Sequence, residues 1–452
     1  MLHEKKNISS EEQKLKIKNL EITLEKKLQQ LHPKKIDLSL GRIKKLLYKL
    51  GKPQKKIKNI IHIAGTNGKG SVLAFLKSFI QASGFTVNTY TSPHLINFNE
   101  RINLNGKNIS NKFLESLLDE CNKKNNGKPI TFFEMTTAAA LLAFKKKPAD
   151  FTILETGLGG RLDATNIIKK PVVTIINEVS IDHTNFLGSN IKQIAKEKAG
   201  IIKKNSPLIV GKQKKETLKI IKRVANNLKV KTFLYKKNWF IKKNKKENHI
   251  IFFNNVKNNK KEKYPQPGLI GDHQIINAGI ALKAFNLIMK EKVNKNFIKN
   301  GLKNVQWPGR LQKIHLNKKL FSKKINHKKW EFWFDGGHNR SASKALAKTF
   351  KRWHWKKLYI IFGMLNSKDP KDFLNYFKNV TAKLITVSIK SDSPYYPNKK
   401  LYEIAKLNEF NVETAETISH GIKKILLNEP PGRVLICGSF YMYKEVSELL
   451  KK

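Results

Sequence analysis

Apolar residues recur along this chain with two periods, and the alternation between them predicts the elements. Leu20, Ile22, Leu24 and Leu28 follow a helical pattern that breaks at His32-Pro33, and a second helix is predicted from about Leu40 to Leu50. An apolar strand-like run begins at Ile60, and Val72, Leu73, Phe75, Leu76, Phe79 and Ile80 place a helix directly after it. Further strands are predicted at Val87 to Tyr90, Phe151 to Glu155 and Val172 to Asn177. Helices are predicted near Asn111 to Asn122, Thr136 to Phe144 and Ile191 to Ile202. This rhythm implies a largely parallel sheet with ligands at the carboxyl ends of its strands.

Between Lys229 and Lys263 the pattern changes to short β-prone runs, Thr232-Phe233-Leu234-Tyr235 and His249-Ile250-Ile251-Phe252-Phe253, set among Lys and Asn. They read as a small antiparallel patch. A helix from Ile275 to Met289 follows, and Gln306-Trp307-Pro308-Gly309 reads as an interdomain turn. Strands at Trp330 to Asp335, Leu358 to Phe362, Leu384 to Val387 and Val434 to Cys437 then alternate with helices, so a second α/β domain is expected, with no internal repeat.

Composition bounds this picture. A length of 452 residues suits two or three domains, and 40% hydrophobic with 27% charged residues describes a globular chain. No apolar run is long enough for a bilayer, and Met1-Leu2-His3-Glu4-Lys5-Lys6 leads into no signal-peptide core, so no membrane association and a cytoplasmic location are expected. Cys121 and Cys437 are too few for a disulfide framework and read as buried free thiols. The formal charge of +55 invites a nucleic-acid role. The excess, however, is almost all Lys, scattered through every segment with Asn and Ile, residues whose codons are AT-rich; no specific nucleic-acid partner is expected. The few arginines are more telling, because Arg101, Arg161 and Arg310 each fall inside a motif, and bidentate anion recognition is a task lysine does poorly.

Candidate chemistry starts where Ile60-Ile61-His62-Ile63-Ala64 breaks into Gly65-Thr66-Asn67-Gly68-Lys69-Gly70-Ser71. Glycines allow successive N–H groups to turn toward one anion, Lys69 supplies a point charge for β and γ phosphates, and Ser71 can ligand Mg²⁺. Ile63 stands where an ordinary P-loop has its first glycine, and Gly70 separates Lys69 from Ser71, so the loop alone also reads as a tight strand-to-helix turn. Three later constellations add weight. Glu155 ends a strand before Thr156-Gly157-Leu158-Gly159-Gly160-Arg161-Leu162-Asp163-Ala164-Thr165-Asn166 and is a candidate Mg²⁺ ligand. Val179-Ser180-Ile181-Asp182-His183-Thr184 closes the next strand with an acid and an imidazole, and Lys196-Glu197-Lys198-Ala199-Gly200-Ile201 ends the helix after it. Singly, Glu155, His183 and Lys198 read equally as solvated or satisfied surface groups.

These motifs, with Thr91-Ser92-Pro93-His94-Leu95, Pro308-Gly309-Arg310 and Asp335-Gly336-Gly337-His338-Asn339, resemble the folylpolyglutamate synthase and dihydrofolate synthase family of the Mur ligase superfamily, and the matches run from about Leu24 to Tyr441. The resemblance implies an α/β chain with an N-terminal P-loop ATPase domain over 1–306 and a C-terminal Rossmann-like glutamate-ligase domain over 307–452. It implies ATP-dependent ligation of L-glutamate to dihydropteroate and to reduced folates through an acyl phosphate, by a monomer. Carried over residue by residue, Gly65, Thr66, Asn67, Gly68, Lys69, Gly70, Ser71, Asn277, Arg310 and Asp335 would contact ATP. Ser92 and Glu155 would hold one Mg²⁺, and Glu155, His183 and a carbamylated Lys198 a second; Lys69, Glu155, His183 and Lys198 would carry the catalysis.

His338 would close over the nucleotide or the incoming glutamate, and Ser439 is a further glutamate candidate. Gly337 stands where the family would have alanine. Ile36 to Ile43 and Thr131-Phe132-Phe133-Glu134 resemble segments lining a pterin pocket, with Thr131 a substrate-binding candidate, Phe133 as the stacking surface and Asp163 as acceptor for the aminopyrimidine edge. Phe133 also reads as a core aromatic. Two other readings are a Mur-type ligase acting on a UDP-sugar peptide precursor, for which the region before Ile60 is short, and a nucleotide-regulated nucleic-acid binder.

Overall fold

The computed structural model describes residues 37–450 apart from 245–246, 257, 259, 291–293, 318–319, 322–325, 354 and 392. The helix expected around Leu20 to Leu28 lies outside the described residues. The second predicted helix spans Gly41–Lys49 and buries Ile43, Leu46 and Leu47.

Eight strands form the main sheet: β1 (Ile60–Ala64), β2 (Val87–Tyr90), β3 (Ile102–Leu104), β4 (Lys107–Asn108), β5 (Phe151–Glu155), β6 (Val173–Ile176), β7 (Leu208–Val210) and β8 (Thr232–Leu234). Their order is β4-β3-β2-β5-β1-β6-β7-β8. From β2 to β8 every pairing is parallel, and β3 and β4 add an antiparallel edge. Being covered on both sides, β1, β5, β6 and β7 are buried along their whole length, which is why they read as continuous apolar runs. β1 lies between β5 and β6, with Ile63 beside Glu155 on one side and Ile175 on the other. The loops leaving these three strands therefore emerge together at one end of the sheet.

The helix Lys69–Ala82 covers one face and packs on the helix Asp272–Met289. Phe75, Phe79 and Ile80 are fully buried in that core, each stabilising the fold by about 1.5–3 kcal/mol. The other face is covered by the helices Asn111–Asn125 and Phe132–Lys146, the latter starting four residues earlier than the apolar pattern predicts because Thr131 caps it.

The antiparallel patch is β9 (Phe240–Asn244), β10 (His249–Asn255) and β11 (Lys260–Pro265), with Ile250 and Phe252 alternating inward. Thr232 to Tyr235 departs from expectation: instead of joining this patch, its residues Thr232–Leu234 extend the main sheet as β8, parallel to β7. A second sheet comprises β12 (Gln312–Ile314), β13 (Glu331–Asp335), β14 (Leu358–Phe362), β15 (Lys383–Thr386), β16 (Val412–Thr414) and β17 (Arg433–Cys437), in the order β12-β13-β17-β14-β15-β16. The last strand inserts between β13 and β14, placing Cys437 level with both Asp335 and Phe362. The loops after these strands share one edge. Cys121 and Cys437 are buried free thiols, and burial pushes Cys121 up to about 12. No helix among the described residues is long and apolar enough to cross a membrane.

Candidate active site

The loop from Gly65 to Gly68 turns from β1 into the helix Lys69–Ala82, and both glycines hold positive φ, 156° and 75°. A Cβ on Gly68 would collide with the side-chain amides of Asn177 and Asn277. Those amides are fixed in turn, Asn177 Nδ2 donating to Asn277 Oδ1 at 2.9 Å and Asn277 Nδ2 to Gln274 Oε1 at 3.0 Å. Gly70 makes room for Trp307, since a Cβ there would come within 2.7 Å of the indole. Ser71 is buried beside them in the first helical turn. The loop is braced from the β6 side, where Thr66 N–H donates to Glu178 O at 2.7 Å and the Thr66 hydroxyl to Ser180 O at 3.0 Å.

Lys69 Nζ, at the helix N-terminus, lies 3.8 Å from Glu155 Oε1 at the end of β5. Burial raises the Glu155 pKa, while Lys69, Arg310 and the Ser92 N–H favour the charged carboxylate. Lys198, near the end of the helix Ile191–Ala199, is buried and donates from Nζ to Gly65 O at 3.0 Å. Desolvation, reinforced by Lys69, pushes its amine down to about 7. Glu155, Ser92, Lys69 and Lys198 thus meet around one loop.

His183 follows β6 at φ 52° and starts a single helical turn. Desolvation, together with Lys368, Lys198 and Lys69 and against the pull of Asp182, takes it to about 4. Asp182 is the meeting point with the second sheet. It receives Lys368 Nζ at 2.6 Å and Asn339 Nδ2 at 3.1 Å, and His338 Nε2 lies 4.0 Å away. Burial alone would raise the Asp182 carboxyl, but His183, His338 and Lys368 hold it well below the usual carboxylate range. Asn339 also reaches Asn67 Oδ1 at 3.0 Å, and the Ser341 hydroxyl reaches Glu178 Oε1 at 2.9 Å.

Arg310 stacks 4.4 Å from the Phe440 ring centroid, and burial lowers its pKa against the attraction of Asp335 and Glu155. Asp335, at the end of β13, accepts from Leu311 N and Gly337 N, both at 2.7 Å. Ser439 is buried after β17 and accepts from Tyr441 N at 3.3 Å, with no bond to the groups around Glu155 among those described. Of the other motif arginines, Arg161 binds Glu197 Oε1 at 2.9 Å and Arg101 binds His94 Nδ1 at 3.0 Å. Lys368 and Asn339 carried no assigned role in the sequence. Lys368 is one lysine among many there, and only the fold brings it to Asp182.

Beyond Glu155 the loop turns back beneath Phe133. A Cβ on Gly157 would strike the Phe133 ring, and Phe133 lies 6.0 Å from Tyr90, centroid to centroid. Thr131 and Glu134 form a capping box, with Glu134 N donating to Thr131 Oγ1 at 3.2 Å and Thr131 N to Glu134 Oε2 at 2.9 Å. Arg42 Nε binds the same Glu134 oxygen at 2.9 Å. Asp163 is buried and already accepts from Leu158 N at 2.8 Å, Thr165 N at 3.0 Å and Thr165 Oγ1 at 2.5 Å. Its oxygens therefore shape their own loop. Among the described residues, no three His, Cys, Asp or Glu side chains cluster as metal ligands.

The Mur ligase middle domain model matches residues 63–285, and the Mur ligase glutamate ligase domain model matches residues 321–440. A dihydrofolate synthase/folylpolyglutamate synthase of Bacillus subtilis is 33% identical over 442 residues, covering 91% of this chain and 95% of that protein. The Escherichia coli FolC complex with DHPP and ADP superposes with a TM-score of 0.82 at 28% identity, over 94% of this chain and 96% of that one. A bifunctional folylpolyglutamate synthase/dihydrofolate synthase with Mn, AMPPNP and L-glutamate bound gives a TM-score of 0.81 at 25% identity, over 94% and 97%. With two thirds of the chain and more matched at this identity, and with the glycine loop, Glu155 and Lys198 assembled as described, the chain belongs to the dihydrofolate synthase/folylpolyglutamate synthase family of Mur ligases.

Proposed function

We propose that this protein uses ATP to join L-glutamate to dihydropteroate and to reduced folates. The observation that carries the reading is the junction of Lys69, Glu155 and Lys198 at the phosphate loop, faced by Arg310, His338 and Lys368 from the other sheet. A carboxylate cannot expel oxide, so its activation needs phosphoryl transfer. The acceptor carboxylate attacks the γ-phosphorus of ATP to give an acyl phosphate and ADP. The amine of L-glutamate then adds to the acyl carbon, and the tetrahedral intermediate expels phosphate.

Little covalent work falls to the protein. Lys69 and the N-terminus of its helix neutralise the triphosphate, Arg310 adds charge beside it, and Asn277 holds the loop that receives it. Asp335 fixes the turn bearing His338, which faces the glutamate side with Ser439. Phe133 offers a stacking face for the pterin, Thr131 keeps the start of its helix in place, and Asp163 sets the loop beneath it. The two proposed domains run over 1–306, which carries the phosphate loop, and 307–452, from which Arg310, Asp335, His338 and Ser439 close over it, and the protein acts as a monomer.

The donor set fits a divalent cation. Glu155 is buried and accepts from the Ser92 backbone N–H, and Glu155 and Ser92 would hold one Mg²⁺; Glu155, His183 and a carbamylated Lys198 would hold another. Bound there, the ion neutralises charge on the transferring phosphoryl group. A known homologue carries Mn with AMPPNP and L-glutamate. The test is phosphate release from ATP with L-glutamate and, separately, dihydropteroate, a reduced folate or a UDP-muramyl peptide precursor. Release is expected with the two pterins; none with either would refute the reading.

A further inference from the structure

His62 occupies the middle of β1, fully buried, where an apolar side chain would satisfy the fold. A buried imidazole needs a partner, and Thr165 Oγ1 lies 2.8 Å from its Nε2. The proton positions follow from what surrounds that hydroxyl. Asp163 Oδ1 accepts from Thr165 Oγ1 at 2.5 Å and from Thr165 N at 3.0 Å, and its other oxygen accepts from Leu158 N. The single Thr165 hydroxyl proton therefore goes to Asp163, which leaves Oγ1 as acceptor and makes His62 the donor. His62 Nδ1 is buried without a partner, as the unprotonated nitrogen of that tautomer. Burial, with Lys203 nearby, takes the imidazole down to about 3 and keeps it neutral.

The turn held this way anchors both neighbours of the loop. At one end Gly157 lies beneath Phe133; further on, Arg161 N donates to Glu197 O at 2.7 Å and Asn166 Nδ2 to Gly200 O at 3.1 Å. We propose that His62 is a positioning residue: its Nε2–H fixes Thr165 and so the Asp163 turn, coupling the strand that feeds the phosphate loop to the wall on which the folate substrate rests. This inference depends on the ligase reading above. It separates the two substrates, because the bonds from Thr165 through Asp163 end at Leu158, beside the Gly157 turn under Phe133, whereas the same loop reaches the phosphate loop only indirectly, through Glu197 and Gly200 and the helix of Lys198.

The test compares His62→Leu, which fills the space without a donor, with His62→Gln, whose amide can donate from a similar place. In steady-state turnover, His62→Leu is expected to raise the KM for dihydropteroate about tenfold, the scale of one lost neutral hydrogen bond, with the KM for ATP within about twofold. His62→Gln should stay within about threefold of the parent on both. An unchanged dihydropteroate KM in the leucine variant, an equal rise in both KM values, or a folded glutamine variant as impaired as leucine would overturn the proposal. Should the leucine variant not fold, Thr165→Val carries the same test, with the same split expected and an unsplit result fatal. A parent that turns over no pterin refutes the ligase reading itself, whereas an active parent with unaffected variants refutes only the role of His62.

Discussion

Lys198 shows how much a single residue's chemistry depends on its surroundings. With Gly65 O as acceptor and the side chain buried, its amine is pushed down to about 7 by desolvation, so a large neutral fraction exists at physiological pH. A neutral amine can add to CO₂ and lose a proton, turning a cation beside Lys69 into an anionic oxygen donor. Lys198→Ala is therefore expected to lose about a hundredfold or more of turnover, the scale of removing one charged group from a catalytic site, and to regain part of it with added formate or acetate. Full turnover without rescue would remove the carbamate from the reading. Lys198 could be singled out in the sequence because its motif marks it. Lys368 could not: nothing local distinguishes it from its many neighbours, and its 2.6 Å contact with Asp182 exists only once the two sheets meet.

The elements that matter most are the loop from Gly157 to Asn166 and the helix Ile191–Ala199, pressed together. A Cβ on Gly160 would lie 2.8 Å from Glu197 O and 3.0 Å from Lys198 Cα, both backbone atoms that cannot swing aside. Gly160→Ala is expected to cost about 1–3 kcal/mol in stability and to lower turnover by moving Lys198, read by thermal unfolding and by phosphate release; a variant of parental stability and activity would contradict this packing. The glycine cluster and the helix it serves were each visible in the sequence, but their pairing was not, because it joins residues far apart in the chain. The same limit explains β8. Thr232 to Tyr235 is plainly β-prone, yet its length gives no sign of which strand it joins, and the parallel edge beside β7 took it. β7, β12 and β16, three residues each, carried too little periodicity to be predicted.

At the scale of the molecule, the two sheets meet over Asp182, and the buried imidazoles tie the assembly to pH. Burial takes His62 and His94 down to about 3 and His273 down to about 4, from an ordinary 6.5. For a histidine with a depressed folded pKa, the unfolded chain binds the extra proton, so the stabilising contribution is whole above 6.5 and is lost as pH falls toward the folded value. For His62 alone the loss by pH 5 is about 2 kcal/mol. Glu155, Asp163 and Asp335, raised by burial, act in the opposite sense, since the folded state holds their protons more tightly. A comparison at one position separates the two effects. The parent's melting temperature, followed by calorimetry from pH 7.5 to 5, is expected to fall, and His62→Gln, which cannot take up that proton on unfolding, should fall less steeply, by about one proton's worth of slope. Parallel slopes for the two proteins would show that His62 is not held neutral in the fold. They would also remove the tautomer on which its bond to Thr165 depends.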